Sequence, residues 1–255
     1  MAIRGLILDL NGTLYFKERV IEGAAGALMQ LRDAGYKLRF MTNTDSKTRA
    51  QLHELICSYG LDLPIQEIFS PAQATFDYLK KNHFSYTGLL PEALEDEFSP
   101  LKRDDTNPDC VIIGENRTAI NYQTLDTLFR HLMKGAELIV MQPGRHYFLA
   151  DGAHLDTGAL AAMFEYATGH QGQVMAKPSS HFFTMMLSDM RLKGSEVVVV
   201  GDDVETDMMG ASKIGAKSIL VRTGKYQSAD EFLTPIKPSS VIDSIADLPK
   251  ALTLF

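Results

Sequence analysis

The sequence has two cysteines in 255 residues. Cys57 and Cys110 each sit in an apolar stretch, and neither stands with a second cysteine or a histidine at the spacing of a zinc site. A disulfide framework is thereby excluded, and two buried thiols are expected. Basic blocks are also missing: the formal net charge is -7 and no run of Lys and Arg interrupts the chain, so there is no electrostatic footprint for nucleic acid or an anionic membrane. Nor is there a long apolar run. The stretch ahead of Asp9 is too short for a membrane span and lacks the layout of a cleavable signal, which predicts a cytoplasmic protein. The first apolar run is followed by neither a Gly-x-Gly-x-x-Gly turn nor a Walker lysine loop, which disfavours a nucleotide-binding protein. No internal repeat or low-complexity tract occurs.

What is present is ordinary globular composition, 45% hydrophobic and 22% charged, enough for one large or two modest domains. With no surface suited to a polyanion, the expected partner is a small substrate. A homodimer is left open.

Four short apolar runs recur, at residues 6–8, 38–41, 197–200 and 218–221. They are mostly uniform rather than alternating, as strands covered on both faces are. Helical spacing lies between them. Residues 24–34 turn Leu28 and Leu31 inward with Gly35 as terminator, and residues 47–59 turn Leu52, Leu55 and Ile56 inward with Gly60 after the end. Strand alternating with helix predicts an α/β protein with a doubly wound parallel sheet, a Rossmann-like core. In such sheets ligands sit beyond the carboxyl ends of the strands. Three runs here end in polar residues: Asp9-Leu10-Asn11-Gly12-Thr13, Thr42-Asn43-Thr44-Asp45-Ser46 and Gly201-Asp202-Asp203.

Residues 82–175 break this order with strand candidates of their own at 110–113 and 138–141 and helix candidates at 122–133 and 158–168. Their number, roughly a hundred, suits a smaller α/β domain inserted as a unit. The expected division is therefore 1–81 with 176–255 for the core, and 82–175 for the insertion. The acidic, proline-containing stretch 92–109 is expected to include a surface loop.

The polar strand ends carry chemistry. A carboxylate at Asp9 would project from the sheet edge, where it can attack phosphorus to give an aspartyl phosphate. The competing reading, that Asn11-Gly12 is simply a hairpin turn, ranks lower because no alternating strand flanks it. Thr42 supplies a hydroxyl and residues 43–46 supply amides at a helix start expected near Lys47, a natural cradle for a phosphoryl group; Asp45 or Ser46 would cap that helix at the same time. Lys177 precedes Pro178-Ser179-Ser180 and an apolar-faced helix, although a lysine there is more often solvated than catalytic. Asp202 and Asp203 crowd at a strand end, with Glu205 and Asp207 close behind. Such a cluster repels itself unless a hard cation is present, and magnesium prefers one or two carboxylates, waters and a substrate phosphate. The methionines after Asp207 read as core.

Those four segments, in this order, resemble the motifs of the haloacid dehalogenase superfamily. They are Asp9-Leu10-Asn11-Gly12-Thr13-Leu14, Thr42-Asn43, Lys177-Pro178, and Gly201-Asp202-Asp203 with Asp207. The long insertion, and Thr42-Asn43-Thr44 followed by Arg49, are similar to subclass IIA, which carries a large α/β cap. Gly158-Ala159-Leu160, Glu165-Tyr166-Ala167-Thr168 and Arg222-Thr223-Gly224-Lys225-Tyr226 look like its nitrophenylphosphatase-like branch.

This resemblance implies a phosphatase that cleaves phosphomonoester, phosphoanhydride or phosphoramidate bonds. Asp9 would be its nucleophile, with Thr42, the Asn43 amide and Lys177 on the phosphoryl oxygens. Magnesium would be held by Asp9, the main-chain carbonyl of Asn11 and Asp202, while Asp203 and Asp207 support Lys177 and the metal's waters.

One position departs from the pattern. Where most phosphatases of the superfamily carry an acid-base aspartate, this chain has Asn11, and an amide can neither protonate a leaving group nor activate water. The resemblance then implies a bias toward aryl phosphates, pyrophosphate and phosphoramidates, whose leaving groups need little protonation. Deamidation at Asn11-Gly12 would instead restore an aspartate. The alternative from another class is a phosphate-binding or regulatory protein that kept the fold and lost turnover. In the insertion, Gln142-Pro143-Gly144-Arg145-His146-Tyr147 offers Arg145 and Tyr147 to the remote end of a substrate, with ordinary surface placement the competing reading.

Overall fold

In the computed structural model, residues 2–149, 151–232 and 236–255 are described. They form two compact units: the first holds residues up to Thr42, Gln51–Phe69 and Lys177–Phe255, the second Asn43–Ala50 and Ser70–Ala176. No described helix is long and apolar enough to cross a membrane.

The first unit is built on six parallel strands in the spatial order Ser240–Ile242, Lys217–Val221, Val197–Gly201, Gly5–Asp9, Lys37–Met41, Ile68–Phe69. From Gly5–Asp9 the chain moves first to one side of the sheet and later to the other. The direction therefore reverses between Gly5–Asp9 and Val197–Gly201, and a crevice opens at the carboxyl ends of these two strands. Both strands are buried along their whole length, as the uniform apolar runs predict. Leu6, Leu8, Val198 and Val200 share a cluster with Leu28, Leu31, Leu52 and Ile56 on one face. Successive strand side chains point to opposite faces, so Ile7, Val197 and Val199, also fully buried, line the other. Each such side chain is worth roughly 1.5–3 kcal/mol of burial, which fixes the strand ends where the polar residues emerge.

Departures from expectation are local. The helix expected from Lys47 begins at Arg49 and runs to Ser58. Along it Leu52 and Ile56 face the core, Leu55 is half-buried and Cys57 is exposed. Only Cys110 is a buried thiol, because Cys57 follows Ile56 by one residue and is carried to the outer face. A short antiparallel hairpin, Tyr15–Phe16 with Arg19–Val20, was not expected. Its turn lies at Lys17 and Glu18, both left-handed, and not at Asn11-Gly12.

The second unit has four parallel strands in the order Gln173–Val174, Glu137–Val140, Cys110–Ile113, Tyr86–Leu89. Leu89, Val111, Ile113, Val140, Leu128, Leu132, Ala161 and Phe164 make its core with the helices Tyr122–Met133 and Thr157–Thr168. A hairpin, His146–Leu149 with Gly152–Leu155, completes it. The unit's limits differ from 82–175, because the helix Pro71–Asn82 belongs with it. Phe76 meets Phe98 edge-on and the Tyr78 hydroxyl donates to Glu137 at 2.9 Å, contacts that tie this helix to the second unit.

Candidate active site

Asp9 is the last residue of the central strand and is 3% exposed. Its Oδ1 receives a hydrogen bond from Lys177 Nζ at 2.5 Å, and its Oδ2 receives one from Thr13 Oγ1 at 3.3 Å. The same ammonium donates to Asp207 Oδ1 at 2.8 Å. Lys177, which the residues alone left as more often solvated, is thus buried between two buried carboxylates. Asp202 follows the Val197–Gly201 strand, is also 3% exposed, and accepts from the backbone N–H of Lys225 at 2.6 Å. Carboxylate oxygens of Asp9, Asp202 and Asp207 all lie within 4.8 Å of one another.

The backbone makes room for this crowding. Gly12 has φ 99, and a Cβ there would stand 2.0 Å from Asp202 Oδ2, so only glycine lets the loop pass. Thr223 Oγ1 donates to the Gly12 carbonyl. A single turn of π-helix, Val204–Met208, follows Asp203; π turns occur often at functional sites, and this one returns Asp207 to Lys177. Asp203 sits at the head of this turn. Its Oδ1 accepts from the N–H groups of Glu205 and Thr206, and its Oδ2 accepts from Lys225 Nζ at 3.2 Å. It holds the turn, because capping and the Lys225 pair engage both its oxygens.

The electrostatics follow from burial. Desolvation pushes Asp9 up to about 6 against the pull of Lys177, Asp202 up to about 6 with Asp207 adding to the rise, and Asp207 up to about 7 against Lys177. Burial works to lower the Lys177 ammonium, but Asp207 and Asp9 outweigh it and hold it above its ordinary value. Three buried carboxylates share one buried ammonium, and the surplus negative charge among oxygen-only donors is the setting a magnesium ion fits.

Thr42 is buried one residue beyond Met41, which pairs with Asp9 across the sheet; its N–H donates to the Phe69 carbonyl at 3.1 Å. Asn11 is exposed. Asn43 falls in the second unit, as do Arg145, exposed, and Tyr147, half-buried. The helix expected to open near Lys47 begins at Arg49. Asp45 is buried, accepts from Thr157 Oγ1 at 2.9 Å, and burial pushes it up to about 7.

On the hairpin of the second unit, Tyr147 stacks on His154 at 5.5 Å with the Arg117 guanidinium 5.0 Å from its ring centre. Sequence reasoning gave no role to Thr13, which bonds Asp9, or to Lys225, which bonds Asp202 and Asp203. Both lay within segments that carry the family likeness, Asp9 to Leu14 and Arg222 to Tyr226.

Two family models match the chain: one described as haloacid dehalogenase-like hydrolase over residues 6–119, the other as HAD-hydrolase-like over residues 174–248. A phospholysine phosphohistidine inorganic pyrophosphate phosphatase from Danio rerio is 37% identical over 252 residues, covering 96% of this chain and 92% of its own. Haloacid dehalogenase-like hydrolase domain-containing protein 2 from Mus musculus is 34% identical, with 90% and 88% covered. Among solved structures, 4-nitrophenylphosphatase from Thermotoga maritima matches with a TM-score of 0.89 at 25% identity, over 98% of this chain and 97% of that one.

Proposed function

We propose, from the premise that this chain belongs to the haloacid dehalogenase-like hydrolase family and is a phosphatase of that type, that it is a magnesium-dependent phosphohydrolase working through an aspartyl phosphate on Asp9. The observation that carries this reading is the Lys177 ammonium held between Asp9 and Asp207 with Asp202 alongside. A mere binder of phosphate has no need of a buried carboxylate aimed from a strand end.

Asp9 attacks phosphorus through one carboxylate oxygen, the bond from phosphorus to the leaving oxygen or nitrogen breaks, and the leaving group takes its proton from water. A water molecule then attacks the same phosphorus, the bond to the Asp9 oxygen breaks, and phosphate and free Asp9 result. Lys177 neutralises charge on the phosphoryl oxygens and keeps Asp9 oriented, and the buried Thr42 hydroxyl holds an equatorial oxygen with the Asn43 amide. Asp9, Asp202 and the Asn11 carbonyl would hold magnesium, which supplies charge neutralisation to the transferring phosphoryl group. Asp207 anchors Lys177 and Asp203 anchors the turn that presents Asp207. The competition among Lys177, Asp9 and Asp207 sets the geometry before substrate arrives, and such preorganisation supplies much of the rate in phosphoryl transfer.

Asn11 bears on the substrate class. Without a carboxyl at this position, general acid-base assistance worth roughly 10²–10⁴-fold is missing, so alkyl phosphates are poor substrates. Aryl phosphates, pyrophosphate and phosphoramidates such as phosphohistidine or phospholysine are good ones, in keeping with the names of the relatives. Arg145 and Tyr147, in the second unit, are the residues we propose for the remote end of such a substrate. The test is a phosphate-release panel with magnesium or with chelator, on wild type and Asp9→Asn. Magnesium-dependent release from nitrophenyl phosphate and pyrophosphate, lost in the variant, is expected; release that survives Asp9→Asn overturns the reading.

A further inference from the structure

We propose that His53, Cys57 and Asp62 form a site for a thiophilic divalent cation, zinc foremost, separate from the carboxylate cluster. Contrary to the sequence reading, which finds no histidine at zinc-site spacing from either cysteine, His53 and Cys57 lie four apart on one helix and share a face, with His53 Nε2 3.6 Å from Cys57 Sγ. Chain reversal brings the third donor. The Leu61 N–H bonds to the Ile56 carbonyl and the Gly60 N–H to the Cys57 carbonyl, with Gly60 left-handed at φ 94, the paired bonds of a Schellman cap. Leu61 and Leu63 are then buried, and Asp62 between them turns outward to the last helical turn. One ligand atom from each of the three residues lies within 4.8 Å of the others.

The spacing decides the class of ligand. With Zn–S of about 2.3 Å and Zn–N of about 2.0–2.1 Å, tetrahedral geometry sets the sulfur and nitrogen about 3.6 Å apart, which is the distance found between Cys57 and His53. Without metal the same approach is a hydrogen bond between sulfur and imidazole, its direction set by the tautomer of His53, so the two groups stay together in either state. Binding replaces the Sγ proton, which leaves to solvent, and forms bonds from the cation to thiolate, imidazole and carboxylate. A fourth position stays open to water.

A thiolate and an imidazole favour zinc over magnesium, whereas an all-carboxylate cluster suits a hard ion such as magnesium. The two sites are also apart. The helix Arg49–Ser58 returns from the strand Lys37–Met41 and, in a parallel sheet, runs against the strand direction. Its end therefore lies toward the amino edge of the sheet, away from Asp9 and Asp202. Bridging the last helical turn to the loop after it, the cation acts as a staple.

The test uses the full chain in saturating magnesium, so that the carboxylate cluster is filled, with cobalt(II) titrated as a spectroscopic probe. A thiolate-to-cobalt charge-transfer band is expected to saturate at one equivalent, to be displaced by zinc, and to persist in Cys110→Ala but vanish in Cys57→Ser. His53→Ala and Asp62→Asn each weaken cobalt binding at least tenfold. Zinc also slows alkylation of Cys57 by iodoacetamide in the folded protein. No band in wild type, a band that survives Cys57→Ser, or affinity unchanged in both His53→Ala and Asp62→Asn overturns the proposal.

Discussion

The ammonium of Lys177 lies 2.5 Å from Asp9 Oδ1 with both side chains almost wholly buried. An ion pair taken out of water is stabilising only while both partners remain, and deleting one leaves an uncompensated buried charge at a cost of about 3–5 kcal/mol.

Lys177→Met accordingly leaves Asp9 and Asp207 facing each other without a cation. Activity on nitrophenyl phosphate falls at least ~10²-fold, and Tm falls in chelator. Magnesium restores part of the Tm but not the activity. Thermal melts and initial rates on the one variant check both parts. Lys177→Arg does not rescue, since a planar guanidinium cannot occupy the point between two carboxylates that an ammonium does.

Asn11→Asp adds a carboxyl where proton transfer to the leaving group is needed. Rates on alkyl phosphates such as sugar phosphates rise relative to nitrophenyl phosphate, by up to ~10²-fold. A substrate ratio unchanged by this substitution contradicts the assignment of proton transfer as the missing step.

Gly12→Ala places a methyl against Asp202 Oδ2 at a left-handed backbone position. The loop shifts or Asp202 swings away, and the magnesium concentration for half-maximal activity rises at least tenfold. Magnesium titration of the rate, with melts to confirm folding, measures it.

Asp45 gives a pH dependence of stability. Its carboxyl is raised from 3.8 to about 7 by burial, so between those values the folded chain keeps a proton that the unfolded chain has released. Its contribution to stability is therefore full below about pH 4 and is lost as pH rises through about 7, by on the order of 4 kcal/mol at most. Asp45→Asn removes this slope: the variant melts like wild type below about pH 4 and increasingly above it as pH rises to about 7.

Reading the sequence recovered what periodicity and strand-end chemistry express. The uniform runs at 6–8 and 197–200 became central strands, and Asp9, Lys177, Asp202 and Asp207 converged. The misses share one cause, contacts that sequence spacing does not encode. Asp45 reads as a cap because its partner Thr157 is 112 residues away. The hairpin at Tyr15–Val20 has strands of two residues, too short for any period. Asp203 and Asp207 were assigned alike, and only the π turn separates the one that holds backbone from the one that holds Lys177. The apolar neighbours of Cys57 predict a buried thiol, whereas its helical phase, one residue past Ile56, points it outward.

The central claim is a covalent intermediate on Asp9, and the most direct measurement is chemical trapping during turnover. Protein quenched with magnesium and nitrophenyl phosphate present, reduced with borohydride and mapped by mass spectrometry, should carry homoserine at position 9, the product of reducing an aspartyl phosphate. The product should be absent in chelator. Steady phosphate release with Asp9 recovered unmodified would contradict the account.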